Sequence, residues 1–188
     1  DVIQSGLPGA TPVGWMATAI AIFGALGILA LEVAGEYGLD VVEDQTTMSV
    51  LLGIYTLAAA FVEELIFRGF LFFDRDGKWR LYGSILLISI LFALIHPYIW
   101  SYDVPENEPP WLFWKWIGLN LWHDDGLLNI QPIFSTFILF INSLWFYYVR
   151  LFSLNRWRSL IPCVAAHLAS NLGVFVVKAC QGKVVLFG

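Results

Sequence analysis

Five long apolar stretches constrain this chain more than any other feature of its 188 residues. They fall at 15–33, 48–73, 81–99, 132–152 and 159–177, each near the ~20 residues that a helix needs to cross a bilayer. In hydrocarbon every backbone polar group must be satisfied within its own segment, so helices are the expected spanning elements. A soluble alternative fails on composition. The chain is 59% apolar and only 13% charged, against about 25% charged in ordinary soluble domains. So few charges cannot cover that apolar load. The predicted architecture is an all-α, polytopic transmembrane bundle of about five spanning helices, forming a single membrane-embedded domain over residues 1–188.

Charge orders the connections. Glu36, Asp40, Glu43 and Asp44 lie between the first two stretches without a Lys or Arg, whereas Arg75, Lys78 and Arg80 follow the second. The next connection is acidic and carries only Lys115, and Arg150, Arg156 and Arg158 bracket the one after it. This alternation predicts a cytoplasmic N-terminus, although Lys178 and Lys183 run against it. No basic patch suits nucleic acid. The connection over 101–131 holds Trp111, Trp114, Trp116 and Trp122. Such amphipathic rings settle at the headgroup level, which predicts an interfacial helix in contact with membrane lipid; a lid over a site is the competing reading. His123-Asp124-Asp125 within it reads as solvated loop. Cys163 and Cys180, if on one helix, stand ~25 Å apart, too far for a disulfide, so both are expected as free thiols. The chain opens on Asp1 rather than Met, as a fragment or processed product would.

Ionisable groups inside a span cost roughly 2.5–3.5 kcal/mol each and call for an explanation. Three clusters have them. In Phe61-Val62-Glu63-Glu64-Leu65-Ile66-Phe67-Arg68, Glu64 and Arg68 are spaced for an i,i+4 ion pair. Glu63 is turned about 100° from Glu64 on an α-helix, which leaves it available as a general base for activating water. The plainer reading has both glutamates sharing Arg68 as a packing clamp. Phe92 and His96 share a helix face, and Pro97 restricts the backbone at His96. His167 and Asn171 are again i,i+4 and can aim two donors at one point, as an oxyanion hole requires; interhelical hydrogen bonding explains them equally well. The same insertion cost met three times is best explained if the clusters meet.

EExxxR, then FxxxH, then HxxxN, in that order on successive spans, resembles the signature of the CAAX-protease and bacteriocin-processing (CPBP) family of intramembrane proteases. The likeness covers about 51–177. It implies a helical membrane fold with a recessed site that hydrolyses a peptide bond of a membrane-associated peptide or protein. By residue it implies Glu63 as the base, His96 assisting, His167 and Asn171 at the oxyanion, and Glu64, Arg68 and Phe92 in support. Family members have been described both as glutamate-dependent and as metal-dependent. A divalent ion such as zinc, held by Glu63, His96 and His167, is therefore a second option. Counting along the spans sets one difficulty, since Glu63 and His96 come out ~10 Å apart in depth. Two other functions stay open: a non-catalytic immunity or regulatory protein that binds a membrane partner, and a proton-coupled transporter using the same groups as a relay.

Overall fold

Helices form along each apolar stretch and stop where the chain gains a reason to stop. The computed structural model describes residues 9–71, 77–102, 117–122 and 127–186. Among these, five helices are long and apolar enough to cross a membrane. They are α1 (Trp15–Gly38), α2 (Val50–Glu63) with its π-helical continuation (Glu64–Phe70), α3 (Lys78–Ile95), α4 (Ile130–Leu151) and α5 (Ile161–Cys180). The Ser49 hydroxyl caps α2 by accepting from the Leu52 N–H at 3.1 Å, so the helix starts two residues later than expected. The preceding Met48–Ser49 (β1) instead pairs in parallel with Val184–Val185 (β4). Pro162 sits in the first turn of α5, where its missing N–H costs nothing. At the other extreme Pro97 forces His96 into extended backbone and ends α3.

The bundle is packed inside out relative to a soluble protein. On α1 the buried face is Ala17, Ala21, Ala25 and Leu29, while Phe23 and Leu31 point outward. Small inner residues let helices approach closely, which drives association where lipid removes the hydrophobic advantage. Trp145 of α4 lies so close to Gly24 that any Cβ there would collide with its ring, and its indole N–H donates to the Ala21 carbonyl at 3.0 Å. Leu29 seals Gly173 of α5 in the same manner. Ala21 and Ala25 meet Phe146, Val149, Cys163 and Ala166 in one buried cluster that joins α1, α4 and α5.

Each end of the bundle is stitched by backbone contacts. At one end the Leu160 N–H donates to the Gly9 carbonyl (2.8 Å) and the Ser159 hydroxyl to the Thr11 carbonyl (2.8 Å). At the other, Met48 N–H donates to the Lys183 carbonyl (2.8 Å) and Lys178 Nζ to the Thr46 carbonyl (2.6 Å). Within the Trp-rich connection, Trp100–Tyr102 (β2) pairs antiparallel with Ile117–Leu119 (β3), and Trp122 bridges to Leu128. Those flanks are a short ladder, not a helix. The interfacial helix expected there falls, with Trp111, Trp114, Trp116 and His123-Asp124-Asp125, on 103–116 and 123–126, outside the described residues. Both cysteines are free.

Candidate active site

The site is built where the α2 helix changes its winding. From Glu64 to Phe70 the backbone is π-helical, and the Leu71 N–H bonds five residues back to the Ile66 carbonyl at 2.9 Å. Short π segments inside α-helices gather at functional sites because the extra residue re-aims side chains and disturbs the bonding ladder. Within this segment the Phe67 carbonyl accepts from the Tyr147 hydroxyl of α4 at 2.7 Å.

Glu64 and Arg68 are wholly buried and joined at 3.0 Å (Arg68 Nη1 to Glu64 Oε1). A charge pair taken out of water is stabilised by bonds to its remaining groups; here Glu64 Oε2 and Arg68 Nε find no partner among the described residues, while Arg68 Nη2 is well served. Arg68 Nη2 donates to the Ser143 hydroxyl (2.6 Å) and carbonyl (3.3 Å), and that hydroxyl donates on to Ser89 Oγ at 3.1 Å. Aromatic faces complete the enclosure. The guanidinium carbon lies 4.5 Å from the Phe92 centroid, 5.1 Å from Tyr147 and 5.2 Å from Phe146, the cation–π arrangement that suits a planar, weakly hydrated cation.

His167 of α5 connects this sealed pair to the open side. Its Nδ1 is 2.9 Å from Glu64 Oε1, and the Phe146 ring stacks on the imidazole at 4.9 Å and 24°. Edge and face are thus both held, and Nε2 is turned toward Glu63 Oε2 at 3.8 Å. That separation is in ion-pair range but too long for a hydrogen bond. Glu63 keeps 27% of its side chain accessible where Glu64 keeps none. The two adjacent glutamates therefore differ in burial while both face His167.

His96 comes to the same neighbourhood through Phe92, whose ring is 4.8 Å from the His96 ring, 6.1 Å from His167 and 5.1 Å from Phe67. α3 ends at Ile95, and the contacts of the Phe92 ring with Phe67, His96 and His167 bring that end of the helix beside the π segment. His96 Nδ1 is 2.7 Å from the Phe92 carbonyl and the Trp100 indole donates to the Leu94 carbonyl at 2.6 Å, satisfying two orphan carbonyls of that helix end. A carbonyl only accepts, so in this contact His96 Nδ1 is the donor. Among the described residues His96 makes no hydrogen bond or ion pair with Glu63 or His167. Asn171 lies one turn beyond His167, and its Nδ2 donates to the Thr56 carbonyl of α2 at 2.9 Å. An amide nitrogen has two hydrogens, and this bond commits one.

Among the described residues no three His, Cys, Asp or Glu side chains are disposed to hold a metal ion. The metal option at Glu63, His96 and His167 gains no support from this arrangement. The fourth span is assigned no functional residue from the sequence. It supplies Ser143, Phe146 and Tyr147 to the site, and the signal was there: Ser143 lies beside Asn142 within an apolar run, with Tyr147 one turn further on.

Fold and site together define a polytopic helical membrane protein with a carboxylate–guanidinium–imidazole centre recessed among its helices. Residues 45–173 match the family model described as type II CAAX prenyl endopeptidase Rce1-like, and the chain belongs to this family. Membership supports protease activity in the membrane on a peptide or protein substrate. No curated protein and no solved structure matches the chain.

Proposed function

We propose that this membrane-embedded domain hydrolyses a peptide bond of a membrane-associated peptide or protein with water activated by Glu63. The observation that carries the reading is the inequality of the two adjacent glutamates. Glu64 is consumed by Arg68 and His167, while Glu63 faces His167 Nε2 across 3.8 Å and remains accessible. Glu63 takes a proton from water, whose oxygen attacks the scissile carbonyl carbon, and later returns that proton to the leaving amine nitrogen. His96, fixed through Nδ1 on the Phe92 carbonyl, assists in holding that water.

Charge on the carbonyl oxygen is met by His167 Nε2–H, with Asn171 supplying its uncommitted amide hydrogen. Glu64 Oε1 holds His167 Nδ1 at 2.9 Å and so orients the ring for that contact. The N-terminus is read as cytoplasmic, because α1 begins at the end of the bundle that carries Lys78, Arg80, Arg156 and Arg158.

The test is cleavage by the reconstituted protein of an internally quenched peptide ending in a prenylated CAAX box, the substrate type in the family's description. Glu63→Gln keeps the shape and removes the base, and a loss of about 10²–10⁴-fold in kcat is expected. Undiminished cleavage by Glu63→Gln would remove Glu63 from the chemistry.

A further inference from the structure

The interior face of α4 carries a polar group that the proposed reaction leaves unused. Asn142 is only 6% exposed, and its Oδ1 meets no hydrogen-bond donor among the described residues. A buried amide oxygen without a donor is costly to keep, and more so in a bundle surrounded by lipid. Its place in the fold points to what it is kept for. Ser135, Ile138, Asn142, Phe146 and Val149 form the buried stripe of α4, so Asn142 lies one turn, ~6 Å along the axis, from Phe146. Phe146 is the ring stacked on His167. The next residue, Ser143, binds both Arg68 and Ser89 of α3. α3 and α4 are consecutive spans and run antiparallel. Stepping back from Phe146 to Asn142 on α4 therefore follows the direction from Ser89 through Phe92 to His96 on α3. Asn142 sits on the His96 side of the site.

The chemistry of the unsatisfied atoms narrows the occupant. Glu63 Oε2 and Glu64 Oε2 are also buried without a donor, while Arg68 Nε is a buried donor without an acceptor. Asn142 Oδ1 and the two carboxylate oxygens are acceptors, so what they lack is N–H or O–H. Glu63 is matched to water. A neutral amide oxygen is matched to the N–H of a peptide main chain, which an extended substrate must have satisfied once it leaves water for the bundle. We infer that Asn142 is a substrate-positioning residue whose Oδ1 accepts a hydrogen bond from a main-chain N–H of the bound peptide, an inference that rests on the protease reading above.

Asn142→Leu tests it, because leucine nearly matches the volume and removes the acceptor. An amide that bonds only substrate gives up no bond within the protein, so the variant should unfold at the same or a higher temperature. With the prenylated CAAX reporter its KM should rise about three- to tenfold while kcat changes little, the pattern of lost uniform binding. In a Glu63→Gln background the same peptide, now uncleaved, should raise the unfolding temperature, and adding Asn142→Leu should shrink that rise. A fall in the unfolding temperature of Asn142→Leu with KM unchanged would make Asn142 an interhelical packing group and overturn the inference. The binding arm separates the two claims. Asn142-dependent stabilisation by a peptide that the wild type never cleaves would retire the hydrolase and keep the contact.

Discussion

Glu63 and Glu64 are neighbours in the chain with identical side chains, yet the structure gives them opposite surroundings. Glu64 is sealed from every direction, held by Arg68 at 3.0 Å and His167 at 2.9 Å, with Ser143 and four aromatic rings enclosing the guanidinium. Glu63 sits one residue earlier, at the point where α-helix gives way to π-helix, and keeps part of its side chain accessible. The difference teaches that residue type alone does not assign a role at this site. One carboxylate is a fixed counter-charge that orients an imidazole, and the other is free to exchange a proton. Each substitution below should strike one side of this division and spare the other.

The largest effect is expected on the sealed side. Arg68→Met fills much of the same volume but leaves the Glu64 charge uncompensated in the interior, and breaking a buried pair in this way costs ~3–5 kcal/mol. Thermal unfolding in detergent should show the loss directly, and a variant that unfolds like the wild type would mean the pair is not the clamp described. Tyr147→Phe is milder. It deletes only the hydroxyl that serves the Phe67 carbonyl, a loss of about 0.5–1.5 kcal/mol, and it should leave the KM of the reporter peptide unchanged. Glu43→Ala anchors the bottom of the scale. Its carboxylate is 92% exposed and 3.6 Å from Lys183, the kind of surface pair that contributes little or nothing. No measurable change in either stability or cleavage is expected, and a clear loss there would show that the end contacts matter more than the interior.

Much of this was legible in the chain, and the omissions have physical causes. Apolar length alone locates all five spans, since a bilayer imposes a minimum that few soluble helices meet. The Glu64–Arg68 pair follows from i,i+4 spacing and survives the change of winding. The π segment itself has no counterpart in the residues Glu64–Phe70, because periodicity carries no mark of a single changed turn. Span counting sets Glu63 and His96 ~10 Å apart in depth, whereas the Phe92 ring packs on both His96 and Phe67 of the π segment, with α3 ending just before Pro97. The contribution of α4 was missed for another reason. Ser, Asn and Tyr in an apolar run are common enough to pass as interhelical contacts, and only the packing of Ser143 on Arg68 and Phe146 on His167 shows where they point. The short β2–β3 ladder was hidden because aromatic residues such as Trp100 and Tyr102 favour the interface and a strand alike.

The measurement that bears most directly on the division between the two glutamates is a side-by-side comparison of Glu63→Gln and Glu64→Gln, with thermal unfolding and reporter cleavage recorded on the same preparations. Glu63→Gln should unfold like the wild type and lose cleavage by about 10²–10⁴-fold. Glu64→Gln should unfold several degrees earlier, because it strands the Arg68 charge in the interior. Cleavage retained in Glu63→Gln, or equal destabilisation of the two variants, would contradict the account.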